Sequence, residues 1–544
     1  MSPREDQRGR RGGHDDGGRP ARRGGRDAQG RERSGSRGGG GPRRGWSEHR
    51  PSERSRTATA PRLAAYEAMR AVADDDAYAN LALPRILRRH RLHGRDAAFA
   101  TELFYGTLRA QGRLDAILQA CIDRPLDAVE DTVRDVLRLG AYQLLDMEVA
   151  PHAATSETVA LARQVVGAGA ASFVNAILRR VGERTREQWL AEVAPPREDD
   201  EAAHLAVVHS HPVWVVRALR DALAAHGRDR SEIDALLAAQ NAAPSVSLVM
   251  RPGLTDLEEL IDDGAAAGSL SLFAAAWPSG DPGGIDPVRE GRAAVQDEGS
   301  QLMALALALG ADDLVLGDDG HWLDLCAGPG GKTALLGGLT VDHDADLLAV
   351  EVQPHRTELV DRAVRTLVEA GADITTRTAD GRTIGAELPG AFSRVLADVP
   401  CSGLGALRRR PESRWRRTPG DIGHLGVLQR ELLTSALDAA APGGVVAYVT
   451  CSPHVAETLL VVADVLRRRD DVEQLDAREA VRAGVREEAR DLDLGAGPSV
   501  QLWPHVHGTD AMFLALLRRR GGEGSASATP PTETIDDPAQ EARP

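Results

Sequence analysis

The feature that most constrains the fold is an alternation of short apolar runs with amphipathic helical stretches in the C-terminal half of the chain. Two stretches with the apolar spacing of an amphipathic helix are PHRTELVDRAVRTLVEAG, after the first two apolar runs, and HVAETLLVVADVLRRR, after the last one. The runs themselves are typical of buried strands: HWLDLC (321–326), DLLAVEV (346–352), SRVLADVP (393–400) and VVAYVTC (445–451). Such alternation predicts a mostly parallel, doubly wound sheet, whose ligands lie at the carboxyl ends of the strands.

The N-terminal half has a different pattern. VRDVLRLGAYQLL places Val133, Val136, Leu137 and Gly140 on one helical stripe, and few strand signals occur nearby, which predicts an all-helical domain. A region with Pro- and Gly-rich breaks follows, with helical stretches and one strand, SVSLVM (245–250). We therefore predict a helical domain over 60–185, a small connecting α+β region over 186–296 and an α/β domain over 297–520.

Composition separates the two ends from this folded part. Residues 1–59 are rich in Arg and Gly, and residues 521–544 in Ser, Thr, Pro and acids, so both are expected to be disordered. Residues 1–60 have a charge of +8, although the whole chain has −15. Arginine-glycine tails commonly hold RNA through phosphate contacts and stacking, and the alternative is a solubilising tail without a specific partner.

Cysteine usage and hydropathy limit the class of protein. The chain has 4 cysteines, none in a CxxC pair, and no apolar run of about 18 residues. We expect no metal site, no membrane segment, and a soluble, cytoplasmic, monomeric protein with reduced thiols.

The stretch DLCAGPGGKT (324–333) is a glycine-rich turn between a strand and a helix, and its Lys332 is the one lysine in the chain. A phosphate-binding loop would need glycine where Cys326 stands, so a nucleoside triphosphate is disfavoured. Glu351 follows the next strand, where an acid can take ribose hydroxyls, and Asp380 follows the strand after it. Together they predict a pocket for an adenosine-containing cofactor with little phosphate to neutralise.

Two cysteines, Cys401 in DVPCSG and Cys451 in VTCSPH, come directly after apolar strands, and therefore at the mouth of the predicted site. A lone cysteine is more often a small buried hydrophobe than a nucleophile. Two at equivalent strand ends favour a catalytic role.

These motifs carry a family resemblance. DLCAGPGGKT, DVPCSGLGALRRRPESRW and YVTCSPHVAE resemble, in order, those of RNA (cytosine-5)-methyltransferases that use S-adenosylmethionine. GRDAAFATELFYGTLR, VRDVLRLGAYQLL and FVNAILRR resemble the NusB-like domain that precedes this catalytic domain in 16S ribosomal RNA methyltransferases of the RsmB/Fmu/Sun type. The resemblance covers about residues 60–518 and implies a Rossmann-like methyltransferase domain, with 16S ribosomal RNA as partner. The alternatives are action on transfer RNA or another ribosomal site, or a non-catalytic NusB-like RNA-binding factor.

The resemblance also implies residue roles. Cys451 would be the nucleophile that adds to C6 of cytosine, Cys401 would assist proton removal or product release, and Asp398 would contact the base with Lys332 beside it. Cofactor contacts would come from the turn and three acids: Cys326, Ala327, Gly328, Pro329, Gly330, Gly331, Lys332, Glu351, Asp380 and Asp398.

The segment LRRRPESRWRR (407–417), here called the arginine loop, follows Cys401 and brings six arginines and a tryptophan to the site. Guanidinium groups bind phosphates and an indole ring stacks on an unpaired base, so the loop predicts RNA contacts; the alternative is a solvated basic loop. The residues predicted to bind RNA are Arg408, Arg409, Arg410, Arg414, Trp415, Arg416 and Arg417.

Overall fold

A computed structural model describes residues 57–74 and 78–521, all within one compact unit. The tails predicted to be disordered, 1–59 and 521–544, lie outside the described residues apart from 57–59 and 521.

The N-terminal domain is helical, as predicted. Helix α4 buries Val133, Val136, Leu137 and Gly140, the stripe expected from the sequence, against the surrounding helices. Gly140 is needed at this contact, because a Cβ there would lie 2.6 Å from a methyl group of Leu178. The helices are α1 (Ala60–Asp74), α2 (Ala79–Arg89), α3 (Gly94–Ala120), α4 (Asp131–Leu145), α5 (Pro151–Val165) and α6 (Ala168–Val181).

The connecting region has a helical half and a sheet half. Its helices are α7 (Arg186–Val193), α8 (Glu201–Val208), α9 (Val213–Ala225) and α10 (Ile233–Asn241). The sheet half contains β1 (Val246–Met250), α11 (Leu257–Asp262), β2 (Ala266–Ala267), β3 (Ala274–Trp277), α12 (Asp286–Arg289) and β4 (Ala293–Val295). These four strands form an antiparallel sheet in the order β2-β3-β1-β4, and β1 confirms the strand predicted at 245–250.

The C-terminal domain contains the predicted alternation. Its elements are α13 (Glu298–Ala308), β5 (His321–Asp324), α14 (Gly331–Leu339), β6 (Asp346–Glu351), α15 (Pro354–Glu369), β7 (Ile374–Thr378), α16 (Gly381–Glu387), β8 (Phe392–Asp398), α17 (Ser413–Arg416), α18 (Pro419–Ala439), β9 (Ala440–Thr450), α19 (Leu459–Leu466), β10 (Val472–Leu475), α20 (Ala477–Ala483), β11 (Val500–Gln501), α21 (Pro504–His507) and β12 (Phe513–Arg519).

These strands form one mixed sheet in the order β10-β12-β9-β8-β5-β6-β7, with β11 paired to β12. Strands β5 to β9 run parallel, while β10, β11 and β12 pair antiparallel. Side chains of β8 and β9 are buried on both faces of the sheet, Leu396 on one and Val395 on the other, which explains why the sequence shows continuous apolar runs. The carboxyl ends of five parallel strands thus meet at one edge.

Candidate active site

The glycine-rich turn lies between β5 and α14 at that edge. Gly330 has φ +102°, a left-handed conformation suited to glycine, and a Cβ there would lie 2.6 Å from the Cβ of Ala363 on α15. Asp324, the last residue of β5, accepts a hydrogen bond of 2.7 Å from the Thr333 hydroxyl on α14. The turn is therefore held between a strand and two helices, with its backbone close to both.

The surroundings of the turn are acidic. Burial raises the pKa of Asp324 to about 7, and its Oδ1 has no hydrogen-bond partner among residues 57–74 and 78–521. Burial also raises the pKa of the Cys326 thiol, and the negative charges of Asp324, Asp398 and Glu351 raise it further. A site with this charge disfavours a polyphosphate and suits a ligand that carries a positive charge.

Glu351 lies at the end of β6, where the sequence predicted an acid beside the turn. Its Oε2 accepts the backbone N–H of Gly328 at 3.1 Å, and its Oε1 accepts that of Gln353 at 3.0 Å. Arg356 covers it: one guanidinium nitrogen is 3.3 Å from the carboxylate and another donates to the Gly328 carbonyl at 2.6 Å. Glu351 and Arg356 therefore hold the backbone of the turn in place at Gly328.

Asp380 precedes α16 and faces its own helix. It accepts the backbone N–H of Arg382 at 3.0 Å, and the Arg382 side chain pairs with its carboxylate at 2.6 Å. Contact of Asp380 with an adenine amino group stays a prediction, and it would require one of these oxygens to accept a further donor.

Lys332 and Asp398 form an ion pair. Lys332 Nζ lies 2.7 Å from Asp398 Oδ2, which confirms the proximity expected from the sequence. Burial lowers the pKa of Lys332, but the charge and hydrogen bond of Asp398 outweigh burial, so the net pKa is raised. The charged amino group of Lys332 is thus already paired with Asp398, near the two cysteines, and is not free to bind a phosphate.

The two cysteines predicted at the strand ends are in contact. Cys401 Sγ lies 3.2 Å from Cys451 Sγ, and both are free thiols. A hydrogen bond donated by Cys401 lowers the pKa of Cys451, and the same bond raises the pKa of Cys401. Arg410 and Lys332 also favour the Cys451 thiolate. The arrangement favours the thiolate form at Cys451 and the thiol form at Cys401, as a nucleophile at Cys451 requires.

One residue of the site was missed by sequence reasoning. Glu457, fully buried after β9, accepts the hydroxyl of Ser402 at 2.5 Å and that of Ser452 at 2.7 Å. These serines directly follow the two cysteines. The available signal was an acid six residues after Cys451, and its meaning depends on a contact with the loop 55 residues away.

Two arginines of the arginine loop are buried and have partners within the protein. Arg414 is fully buried and donates to the carbonyl of Ser210 at 3.0 Å and to Asn241 Oδ1 at 2.7 Å. Arg408 is also buried, with its guanidinium 3.1 Å from Asp297 Oδ2 and 2.7 Å from the Gly508 carbonyl. RNA contact by these two arginines stays a prediction, and it would require their donors to exchange these acceptors, which lie far away in sequence, for phosphate oxygens.

Other members of the loop contact the helical domain or a buried acid. Arg409 donates to Asp510 at 2.8 Å, and Arg410 lies over the Tyr78 ring at 4.8 Å. Arg416 donates to the Val72 carbonyl at 2.5 Å, and Trp415 packs on Gly112, where a Cβ would lie 2.4 Å from the indole. RNA contact by Arg409, Arg410, Trp415, Arg416 and Arg417 stays a prediction.

Glu412 makes a further contact between the domains. It accepts the backbone N–H of Ala79, at the start of α2, at 3.1 Å, and it is buried. The arginine loop is thus packed mainly against the helical domain and the connecting region.

Within residues 57–74 and 78–521, no group of three or more His, Cys, Asp and Glu side chains is arranged to bind a metal ion. In the same ranges, no helix is both long and apolar enough to cross a membrane.

Comparison with known proteins gives two family matches that divide the chain as the structure does. Residues 59–183 match the NusB family, and residues 312–518 match the family described as 16S rRNA methyltransferase RsmB/F. In fold, the solved structure of PH0851 is similar with a TM-score of 0.68 and 20% identity, over 86% of this chain and 100% of that one.

Two relatives match nearly their whole length. Rv1407 of Mycobacterium tuberculosis (strain ATCC 25618 / H37Rv) is 50% identical over 462 residues, which are 84% of this chain and 96% of that protein. Ribosomal RNA small subunit methyltransferase B of Pseudomonas putida is 32% identical over 439 residues, 78% of this chain and 93% of that protein. With both family matches in order and these relatives covered almost end to end, the chain belongs to the RsmB/F family of 16S rRNA methyltransferases.

Proposed function

We propose that this protein transfers a methyl group from S-adenosylmethionine to C5 of a cytosine in 16S ribosomal RNA, through a covalent bond between Cys451 and C6 of the base. The observation that carries the proposal is the contact between Cys401 and Cys451 at 3.2 Å, beside the Lys332–Asp398 ion pair. A pair of thiols at this position has no use in cofactor binding alone, and it matches a reaction that needs both a nucleophile and a proton carrier.

The residues around the turn fit S-adenosylmethionine. When bound, this cofactor supplies a methyl group on a positively charged sulfonium, which the acidic surroundings favour. Asp324 has an unpartnered buried oxygen, and Glu351 lies beside the backbone of Gly328, where hydroxyls of a ribose would be accepted. A nucleoside triphosphate would meet these acids as a polyanion, while Lys332 is already paired with Asp398.

Cys451 begins the reaction at the base. C5 of cytosine is a poor nucleophile, and addition of the Cys451 thiolate to C6 makes the ring an enamine whose C5 accepts a methyl group. Asp398 would bond to the base at N3, favouring addition at C6, and Lys332 keeps that carboxylate in place.

Cys401 has its role after addition. The negative charge on Cys451 raises the pKa of Cys401, and formation of the carbon–sulfur bond removes that charge. The pKa of Cys401 should then fall, so that Cys401 can release its own proton to solvent. The resulting Cys401 thiolate accepts the C5 proton, and the electrons of the C5–H bond expel Cys451 from C6 as a thiolate. The change in base strength follows from the contact between the two sulfurs.

RNA is expected to engage the helical domain as well as the catalytic edge. A cytosine can reach Cys451 only if it leaves its stack, which favours an unpaired or partly unfolded segment of ribosomal RNA. The arginine loop contacts both regions. Because Arg410 lies over the Tyr78 ring and its charge lowers the pKa of Cys451, RNA bound at the helical domain would alter the charge near Cys451.

Bisulfite sequencing of 16S ribosomal RNA from a strain lacking the gene tests the proposal. We expect one methylated cytosine to disappear, to return with the parent gene, and not to return with Cys451→Ala. Loss of methylation in transfer RNA or at another ribosomal site, with 16S unchanged, would reassign the substrate. A complete methylation pattern in the deletion strain would contradict the proposed activity.

A further inference from the structure

A carboxylate lies buried between the loops that carry the two cysteines. Glu457 ends a 3-10 turn, Val455–Glu457, that follows β9, and its side chain has no exposed surface. A buried carboxylate is costly unless hydrogen bonds replace its hydration, so its neighbours define what it does.

Four neutral donors surround Glu457. Its Oε1 accepts the backbone N–H of Ser402 at 2.7 Å and the side-chain amide of Gln429 at 3.2 Å. Its Oε2 accepts the hydroxyls of Ser402 at 2.5 Å and Ser452 at 2.7 Å. Four donors occupy the roughly four lone-pair positions of an ionised carboxylate. The two hydroxyls are 3.1 Å apart and converge on one oxygen.

The bridge joins the two loops at a point where the sheet no longer does. The last parallel pair of β8 and β9 is Asp398 with Val449. Beyond it, Val399 donates to the Val449 carbonyl at 3.1 Å and Gly405 donates to the Cys451 carbonyl at 2.9 Å. Glu457 adds a side-chain connection between the residues directly next to the two sulfurs.

We propose that Glu457 is a positioning residue that sets the separation of Cys401 and Cys451, and so maintains the hydrogen bond between their sulfurs. The inference deepens the proposed function and rests on it for the catalytic roles of the cysteines. The physical reason is that a hydrogen bond between sulfurs weakens quickly as they move apart, while burial opposes the thiolate. Without the bridge, the backbone bonds of Val399 and Gly405 still join the loops, but the residues next to the sulfurs lose a connection and the sulfur–sulfur distance should increase.

The test measures the reactivity of Cys451 against pH in the full chain, without RNA or cofactor. Glu457→Gln keeps the shape and one acceptor oxygen, but it replaces the oxygen shared by the two hydroxyls with a donor. Alkylation by iodoacetamide, measured at Cys451 by peptide mass spectrometry, should have its pH midpoint raised by about one unit, with a rate at pH 7 about tenfold lower. The methyl-transfer rate should show the same shift in its acid limb.

Two controls separate positioning from general loosening. Glu431→Gln makes the same chemical change at an exposed site on α18, the helix of Gln429, and should leave the midpoint unchanged. Tyr448→Phe removes a 2.8 Å hydrogen bond to the backbone carbonyl of Glu457 while leaving the carboxylate intact, and should change the rate less than twofold.

Three results would overturn the proposal. One is a folded Glu457→Gln protein, judged by circular dichroism, with the parent midpoint; another is an equal shift in Tyr448→Phe. If Glu457→Gln does not fold, Ser402→Ala and Ser452→Ala, which each remove one hydroxyl, replace it, and both should raise the pH midpoint. The third refuting result is a parent midpoint in both of these variants. Because alkylation needs no methyl transfer, a protein with the expected midpoints but no methylation would refute the proposed function alone.

Discussion

Replacing Asp324 by asparagine should make the protein more stable in alkaline solution and a weaker binder of its cofactor. Asp324 is 1% exposed at the end of β5, and its Oδ2 accepts a hydrogen bond from the Thr333 hydroxyl. Asparagine keeps an oxygen for that bond and removes a buried charge. The free energy of unfolding should therefore rise, while the affinity for the cofactor should fall.

The magnitude follows from the pKa. Burial raises the pKa of Asp324 from 3.8 to about 7, which means that the folded protein binds the proton more tightly than the unfolded chain. The stability associated with this proton is fully present below about pH 4 and is lost as the pH rises through 7. The full difference is about 4 kcal/mol, and the part that falls between pH 5 and pH 8 is about 3 kcal/mol.

Urea unfolding followed by tryptophan fluorescence, at pH 5 and at pH 8, measures this part. The free energy of unfolding of Asp324→Asn relative to the parent should rise by about 3 kcal/mol from pH 5 to pH 8. Asp373→Asn, an exposed acid on the same domain, should show a pH-independent difference. An equally flat difference for Asp324→Asn would refute the reasoning, as would unchanged binding of S-adenosylmethionine in calorimetry, since the charge is proposed to favour the sulfonium.

The other predictions concern the ion pair, the cysteines and the packing of the arginine loop. Lys332→Arg should reduce kcat by at least tenfold while changing the cofactor Kd less than threefold, because the longer group cannot keep the 2.7 Å contact with Asp398; equal losses in both would place Lys332 on the cofactor. Cys401→Ala should accumulate a covalent protein–RNA adduct on a denaturing gel, and ordinary turnover without the adduct would contradict the division of roles. Gly112→Val should lower the free energy of unfolding by about 1–3 kcal/mol, since a Cβ would lie 2.4 Å from the Trp415 ring, and an unchanged urea midpoint would exclude that packing.

The parts of the fold that were predictable are those with a local signal. The runs around Leu323, Val350, Val395 and Val446 are continuous because parallel strands are buried on both faces, and their order fixed where the turn and the cysteines meet. Helical stripes such as that of α4 are equally local. The contact between Lys332 and Asp398 was implied by the family resemblance, and it agrees with the sheet, in which β8, ending at Asp398, pairs with β5.

The parts that could not be predicted depend on distant partners. Arg408 was expected to bind phosphate because nothing near it in sequence shows that Asp297, 111 residues earlier, occupies its guanidinium. Glu457 gives no signal of its own, since an acid before a helix is ordinarily a solvated capping residue. Arg414 would have been placed on the surface by composition, yet several of its acceptors are backbone carbonyls, which leave no signal in the sequence.

The burial of Arg414 limits how far the chain is modular. Its guanidinium contacts the Arg109 carbonyl in the helical domain and the Ser210 and Gln240 carbonyls in the connecting region. Burial and the charge of Arg109 lower its pKa to about 9, although the negative charge of Glu412 acts in the opposite direction. A catalytic domain expressed alone would expose this arginine beside the loop that carries Cys401. The helical domain and the connecting region should therefore stabilise the catalytic domain more when joined to it in one chain than when the domains are expressed as separate fragments.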